Sequence, residues 1–259
     1  HYLKYSAIKK AITKYWGVSQ DEPPTAAVLH AILSQGTDRR TISSLYMALI
    51  SESTNTLTTL RENWDRDTGR PLSDSQWDQA LAKVKGVSRN MRLRFTQFNY
   101  LHRTYLTPHR IAKMYAATSP ACPRCNNPRA DFVHMIWTFP SLSSAWAKVL
   151  EITSEVIEAE VPDTIESCIL GIRPSPKDIK HRNRFIDLAM VLFKRQIAMN
   201  WKSKEPPDIK TWYRVLLKWS QAEANVLAEL SGRDDNPEQR RIWDTYIAKL
   251  TAKDDTRPP

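Results

Sequence analysis

Acidic residues are missing from residues 79–130 of this sequence. The same stretch, called the basic island below, holds ten of the 38 lysines and arginines, and the other 28 equal the 28 acidic residues in number. The formal net charge of +10 is therefore the charge of the island. Ordinary surface helices mix charges of both signs, so an acid-free segment of this length favours contact with a polyanion such as nucleic acid.

Glycine and cysteine are also scarce, with six and three residues in 259. So few glycines leave little of the turn chemistry that β-sandwiches and barrels need. The sequence therefore predicts a mainly α fold: a helical bundle with a basic helical hairpin and a small knuckle-like Cys/His loop. Three cysteines do not make a disulfide framework, and we expect the reducing interior of the nucleus and cytoplasm.

Long apolar runs are absent as well. Residues 185–193 form the most apolar run, but it contains Asp187 and is followed by Lys194, far short of the ~20 residues of a membrane span. We expect no membrane partner. The chain begins at His1 without an initiator methionine or a signal peptide, and we expect it to be a piece of a longer protein.

Hydrophobic periodicity and breakers predict four segments. They are an N-terminal helix and linker (1–22), a basic helical region ending in a Cys/His knuckle (23–140), a C-terminal helical bundle (141–251) and a frayed tail (252–259). Ser73 to Gln76 has the pattern of a capping box, and Thr107 followed by Pro108 is typical of a helix start.

The basic hairpin is predicted from a helix over residues 88–105 and a shorter one from Thr107. Side chains expected to face the core are Met91, Phe95, Phe98, Leu101, Tyr105, Ile111, Met114 and Tyr115. Tyr100 lies off this apolar face, so we expect it to stack on an unpaired base.

The candidate nucleic-acid-binding residues are Lys83, Lys85, Arg89, Arg92, Tyr100, Arg103, Arg110, Lys113, Arg124 and Arg129. A solvated charged face is the alternative, but interspersed acids are missing. Each phosphate contact releases counterions, so affinity should fall with salt by a log-log slope of roughly 0.7 to 0.9 per contact.

Cys122, Cys125 and His134 have the spacing of three zinc ligands, whereas a structural zinc site needs four. None of residues 135–139 can supply the fourth. Asp131, His102, His109, Cys168 or water remain candidates. The alternatives are a decayed site held by packing alone, or two free thiols in a loop, so the sequence leaves zinc binding open.

Catalysis has little support in the sequence. Phosphate-binding glycine loops and nucleophile elbows are absent, and Asp131 is the only acid near His134. We expect no enzyme activity. The tryptophans on apolar helical faces are expected in the core, and Trp201, between lysines, is expected to pack as well.

One segment resembles a known family. Its residues are Asn99-Tyr-Leu-His-Arg-Thr-Tyr-Leu-Thr-Pro-His-Arg-Ile-Ala-Lys-Met114, Ser119-Pro-Ala-Cys-Pro-Arg-Cys125, Asp131-Phe-Val-His134 and Trp137. They are similar to the carboxy-terminal region of LINE-type non-LTR retrotransposon reverse transcriptases of vertebrates. Residues 200–207 and Trp212 extend the resemblance, which covers at least residues 73–219.

The resemblance implies a part of the enzyme that binds the element's RNA during target-primed reverse transcription, without the polymerase or endonuclease motifs. It implies as partners RNA, DNA at the target site and the remainder of the polyprotein. Cys122, Cys125 and His134 match three family positions, and Phe139 stands where the family has its last cysteine. The alternatives are a scaffold domain that docks on the polymerase part, or a decayed element copy without activity.

Overall fold

The computed structural model describes residues 56–173, 180–231 and 237–255. The chain divides into two compact units, residues 1–60 and 61–259, and nearly all described residues belong to the second. The predicted N-terminal helix and linker, residues 1–22, lie outside the described ranges, as do residues 23–55 of the predicted basic helical region.

The described residues are mainly helical and contain no strand, as the sequence predicts. The helices are α1 (Thr56–Thr68), α2 (Asp74–Gly86), α3 (Met91–Leu101), α4 (Pro108–Met114), α5 (Pro140–Ile157), α6 (Lys180–Met199), α7 (Ile209–Ser231) and α8 (Pro237–Asp255). Two single π-helical turns, His134–Thr138 and Glu166–Leu170, precede and follow α5. α8 continues through residues 252–255, which we expected to fray. No described helix is both apolar and long enough to span a bilayer.

Helix α6 lies at the centre of the bundle. The apolar run predicts a buried helix over residues 185–201, and every residue from 185 to 194 is buried, whereas Met199 is exposed. α6 packs against α3, α5, α7 and the second π-helical turn, and α8 packs on α7 and α5. The core is rich in aromatic rings, and Trp146, Trp212 and Trp243 are almost wholly buried.

Helix starts follow the local sequence. Ser73 Oγ accepts a hydrogen bond from the Gln76 amide and the Gln76 side chain accepts one from the Ser73 amide, so the capping box of α2 is confirmed. The Thr107 hydroxyl accepts from the Arg110 amide ahead of α4, with Pro108 at the first helical position. These caps fix where the helices of the basic island begin.

The predicted inward face of α3 is wrong for Met91, Phe95 and Phe98, whereas Leu101 is buried as predicted and Tyr105 is half-buried. Met91, Phe95 and Phe98 are exposed, with 70%, 63% and 39% of their surface open to solvent. The buried face contains Leu93, Thr96, Gln97, Tyr100 and Leu101. Polar side chains on that face form hydrogen bonds inside the bundle. A prediction that places only apolar residues in the core therefore assigned Met91, Phe95 and Phe98 to the wrong side of the helix.

Helix α4 also differs from the prediction. None of its residues is buried, and of the three side chains expected to face the core, Ile111 is half-buried while Met114 and Tyr115 are exposed. The short apolar segment 168–172, whose pattern fits either a strand or a loop that crosses the core, belongs largely to the buried second π-helical turn.

Candidate functional site

The ten cations of the basic island differ in exposure and in their partners. Five are exposed and form no ion pair with any described residue: Lys85, Arg89, Arg92, Arg110 and Lys113. They come from α2, α3, α4 and the turn between α2 and α3. All five are exposed to the phosphates of a nucleic acid, and one of them, Arg110, also donates a 3.1 Å hydrogen bond to the Arg103 carbonyl oxygen.

Two other predicted binding residues are committed to the fold. Lys83 Nζ lies 2.7 Å from Asp187 Oδ2 of α6, and its side chain is only 21% exposed. Arg103 pairs with Asp67, and its guanidinium lies 4.3 Å from the centre of the Trp64 ring. Burial lowers the pKa of Arg103 to about 10. Both side chains therefore stabilise the bundle, and we correct their assignment as surface ligands of RNA.

Arg124 and Arg129 lie in the Cys/His loop. The Arg124 guanidinium donates to the Trp201 carbonyl oxygen and lies 5.2 Å from the Phe139 ring centre. Burial lowers the pKa of Arg124. Arg129 is exposed, with its Nε 3.4 Å from Asp131 Oδ2. Of the two, Arg129 is the more accessible to a ligand.

Tyr100 cannot stack on a base. Its side chain is fully buried, and its hydroxyl donates a 2.8 Å hydrogen bond to the Lys194 carbonyl oxygen in α6. Burial raises the pKa of Tyr100 well above its ordinary value. The prediction of Tyr100 as a stacking residue is therefore wrong, because the face that looked polar is the face that enters the core.

The exposed aromatic residues of α3 are the ones that the sequence assigned to the core. The Phe95 and Phe98 rings are nearly parallel, at 10°, with centres 6.4 Å apart. His102 lies beyond Phe98 with its ring centre 4.2 Å away. Their spacing of three and four residues places all three on one helix face. The spacing in the sequence shows that the three rings share a face of the helix. Only the tertiary contacts show that this face is exposed to solvent.

Cys122, Cys125 and His134 come together as the sequence predicts. One ligand atom from each lies within 4.8 Å of the others, so this cluster could hold a metal ion. Cys125 Sγ lies 3.5 Å from His134 Nε2. Two ligands at zinc–sulfur and zinc–nitrogen bond lengths on a tetrahedron lie about 3.6 Å apart. The sulfur–nitrogen distance therefore matches one edge of such a site.

Local hydrogen bonds hold the two cysteines on a tight turn. The Asn126 amide donates to the Cys122 carbonyl oxygen at 2.9 Å, and the Cys122 amide donates to the Asn127 carbonyl oxygen at 2.8 Å. Asn126 adopts the left-handed conformation, with φ of 58°, which asparagine tolerates better than most residues. The turn brings both cysteines to the first π-helical turn, which carries His134.

The surroundings of His134 suit a metal ligand. Burial lowers its pKa, Asp131 raises it and Arg124 lowers it further, with a net shift below the ordinary value. A lower pKa favours the neutral ring, which is the form that coordinates metal. Thr138 Oγ1 lies 3.5 Å from His134 Nδ1, on the side away from Cys125, and the Asp131 carboxylate accepts from the His134 amide.

No fourth ligand joins the cluster from the described residues. Asp131, His102, His109 and Cys168 all lie outside the group. Phe139 is buried, with its ring 6.2 Å from that of His134 and with Arg124 over its face. The described residues therefore offer three ligands to a metal ion, and Phe139 makes only aromatic contacts beside them. Water would have to complete a tetrahedron.

The loop is also attached to the bundle by packing. Cys122, Ala130 and Met135 form a buried cluster covered by Trp201, whose Nε1 donates to the Leu106 carbonyl oxygen. The rings of Trp201 and Tyr105 stack 5.0 Å apart. Trp201 therefore packs against the loop, as expected.

No protein-family model matches the sequence.

Proposed function

We propose that this chain is a non-catalytic nucleic-acid-binding module that holds template RNA for a LINE-type reverse transcriptase during target-primed reverse transcription. Its partners would be RNA, DNA at the target site and the remainder of the polyprotein, in the nucleus and cytoplasm. The proposal draws on the resemblance of residues 99–137 and on the charge of the basic island.

The observation that carries the proposal is the set of five exposed cations on and around α2, α3 and α4 that form no ion pair within the part of the chain that the structure describes. The basic island contains no acid, so nothing within it offsets their field. A polyanion would gain from this concentration of charge both in affinity and in rate of association. Arg129 in the loop adds a further exposed guanidinium.

Salt titration tests the proposal. Binding of the whole chain to a labelled single-stranded RNA is measured by fluorescence polarisation over a range of salt concentrations. We expect a steep loss of affinity with salt, and a slope that falls by roughly 0.7 for each cation neutralised. The variant Arg92→Glu/Arg110→Glu/Lys113→Glu should lose most of its binding.

A charge reversal outside the basic island is the matched control. Arg214→Glu/Lys218→Glu changes two exposed cations of α7, and this variant should bind RNA much as the wild type does. Affinity that ignores salt, or that is equally reduced by both sets of changes, would contradict the proposal.

For the metal, we propose zinc. Two thiolates and an imidazole suit this ion, and the sulfur–nitrogen distance fits its tetrahedral geometry. The bound ion would link the Cys/His loop, through Cys122 and Cys125, to the first π-helical turn, through His134. With three protein ligands, the affinity should be lower than that of a four-ligand knuckle.

Metal content tests the zinc site. After dialysis against a weak chelator, the Phe139→Cys variant should retain about one zinc per chain, because a fourth thiolate completes the tetrahedron. The wild type should retain less and Cys125→Ser none. If Cys125→Ser retained as much zinc as the wild type, the cluster would not be the metal site. Elemental analysis of the purified proteins gives the answer.

A second candidate is a scaffold domain that docks on the polymerase part. The exposed apolar side chains of α3 and α4 favour it, because a protein partner would cover such a surface.

A further inference from the structure

Large hydrophobic side chains are exposed mainly within the basic island. Of the eight that the described residues expose, six lie in α3, α4 or just beside them: Met91, Phe95, Phe98, Leu106, Met114 and Tyr115. Exposed aromatic rings cost free energy in water unless a partner covers them. The exposed apolar side chains therefore lie in the same segment of the chain as the exposed cations.

Helix α3 orders three of these rings in a line. Phe95, Phe98 and His102 follow one another on the same face, which we call the ring stripe. From Phe95 to His102 the helix rises about 10 Å, which is about the length of three stacked bases. Phe95 and Phe98 are nearly parallel, so their faces offer a regular platform to planar ligands.

The charges beside the ring stripe indicate what kind of ligand would cover it. Arg92 is exposed, precedes Phe95 by one helical turn and forms no ion pair with the described residues. The Asn90 cap before α3 and the Thr107 cap before α4 are neutral, and no acid lies nearby in the sequence. A ligand with planar aromatic groups on a polyanionic backbone matches both features.

We propose that the ring stripe is a stacking platform for the unpaired bases of a single-stranded nucleic acid, whose phosphates meet Arg92 and the other exposed cations. The inference rests on the proposed function and adds to it the class of ligand. In a duplex the bases are already stacked on one another, so the ring stripe would discriminate in favour of unpaired segments. His102 extends the platform, and burial lowers its pKa, which favours the neutral ring.

The test separates stacking from charge. The whole chain is titrated with a mixed-sequence single-stranded RNA and with the duplex of the same sequence. Phe95→Leu and Phe98→Leu keep an apolar side chain but remove the ring. Each should weaken single-strand binding by about 5- to 150-fold, which corresponds to one lost base–aromatic stack. Duplex binding should change little.

The salt dependence adds a second readout. Phe95→Leu should reduce affinity by the same factor at every salt concentration, because stacking releases no counterions. Arg92→Gln should instead reduce the salt slope by roughly 0.7. Phe95→Trp, which restores an aromatic ring, should bind as tightly as the wild type. Met199→Ala alters another exposed apolar side chain, outside the basic island, and should leave binding unchanged.

The outcomes distinguish the two proposals. If Phe95→Leu binds single-stranded RNA like the wild type while the charge reversals abolish binding, the stacking platform is overturned and the RNA-binding function stands. If the wild type binds no RNA, both fall. If Phe95→Leu retains RNA affinity but loses association with the polymerase part, the ring stripe is a protein-docking surface and the inference is overturned. Circular dichroism and thermal melting confirm that each variant is folded.

Discussion

Arginines that look alike in the sequence have different roles in the folded chain. Arg92 is exposed on α3, whereas the Arg103 guanidinium lies 4.3 Å from the Trp64 ring centre and 5.4 Å from the Phe132 ring centre and pairs with Asp67. Arg103 also takes the left-handed conformation at the end of α3, with φ of 54°. A basic residue beside aromatic rings serves packing when it is enclosed and binding when it is open to water.

The contrast between the two arginines predicts a large loss of stability for one substitution and almost none for the other. Arg103→Gln should lower the free energy of unfolding by about 2 to 4 kcal/mol, because it removes a half-buried cation from Asp67 and from two rings. Arg92→Gln should change it by less than about 0.5 kcal/mol. Urea denaturation followed by tryptophan fluorescence measures both values.

RNA affinity should show the reverse order for the two variants. Arg92→Gln should weaken binding, while Arg103→Gln should affect it only through the folded fraction. Equal stability of the two variants would show that the Arg103 contacts contribute nothing measurable.

At the scale of elements, α3 is positioned by buried polar groups as much as by apolar ones. Lys194 of α6 is fully buried and donates to Gln97 Oε1 at 2.5 Å and to the Ile169 carbonyl oxygen at 3.0 Å. Gln97 in turn donates to the same carbonyl oxygen. These bonds join α3, α6 and the second π-helical turn, and they turn the opposite side of α3, with its aromatic rings, to solvent.

This buried lysine gives stability a pH dependence. Burial, the largest cause, lowers the pKa of Lys194 to about 7; Asp187 opposes the shift, and Arg173 adds to it. In the unfolded chain the pKa is about 10.4, so between these values the unfolded state binds more protons. The contribution to stability therefore rises with pH from about 7 to about 10 and is constant below that window.

We expect the wild type to gain about 2 kcal/mol of stability between pH 7 and pH 9 from this residue. Lys194→Met removes the titrating group and should lack that gain. Urea unfolding of both proteins at pH 7 and pH 9 measures how much each gains in stability. Subtracting the gain of Lys194→Met from that of the wild type removes the contribution of the other titrating groups. Lys202→Met, at an exposed lysine, should keep the wild-type pH dependence. The same gain in Lys194→Met would contradict the assignment.

At the scale of the whole molecule, the helical class followed directly from composition. Six glycines and a hydrophobic period typical of helices argued against a β-sandwich or barrel, and the described residues contain no strand. The caps at Ser73 and Thr107 were equally predictable, because capping is a contact between residues three apart. The meeting of Cys122 and Cys125 was predictable for the same reason.

The sequence by itself determined the local properties of this protein: helix, caps, the acid-free basic island and the three ligands of the Cys/His loop. The tertiary structure decided which side of α3 faces water. That choice depends on Gln97 and Tyr100, whose polar atoms are satisfied by partners more than 70 positions away along the chain. Periodicity counts such residues as polar and solvent-facing. Once they enter the core, the aromatic rings of Phe95 and Phe98 on the other side remain exposed to solvent.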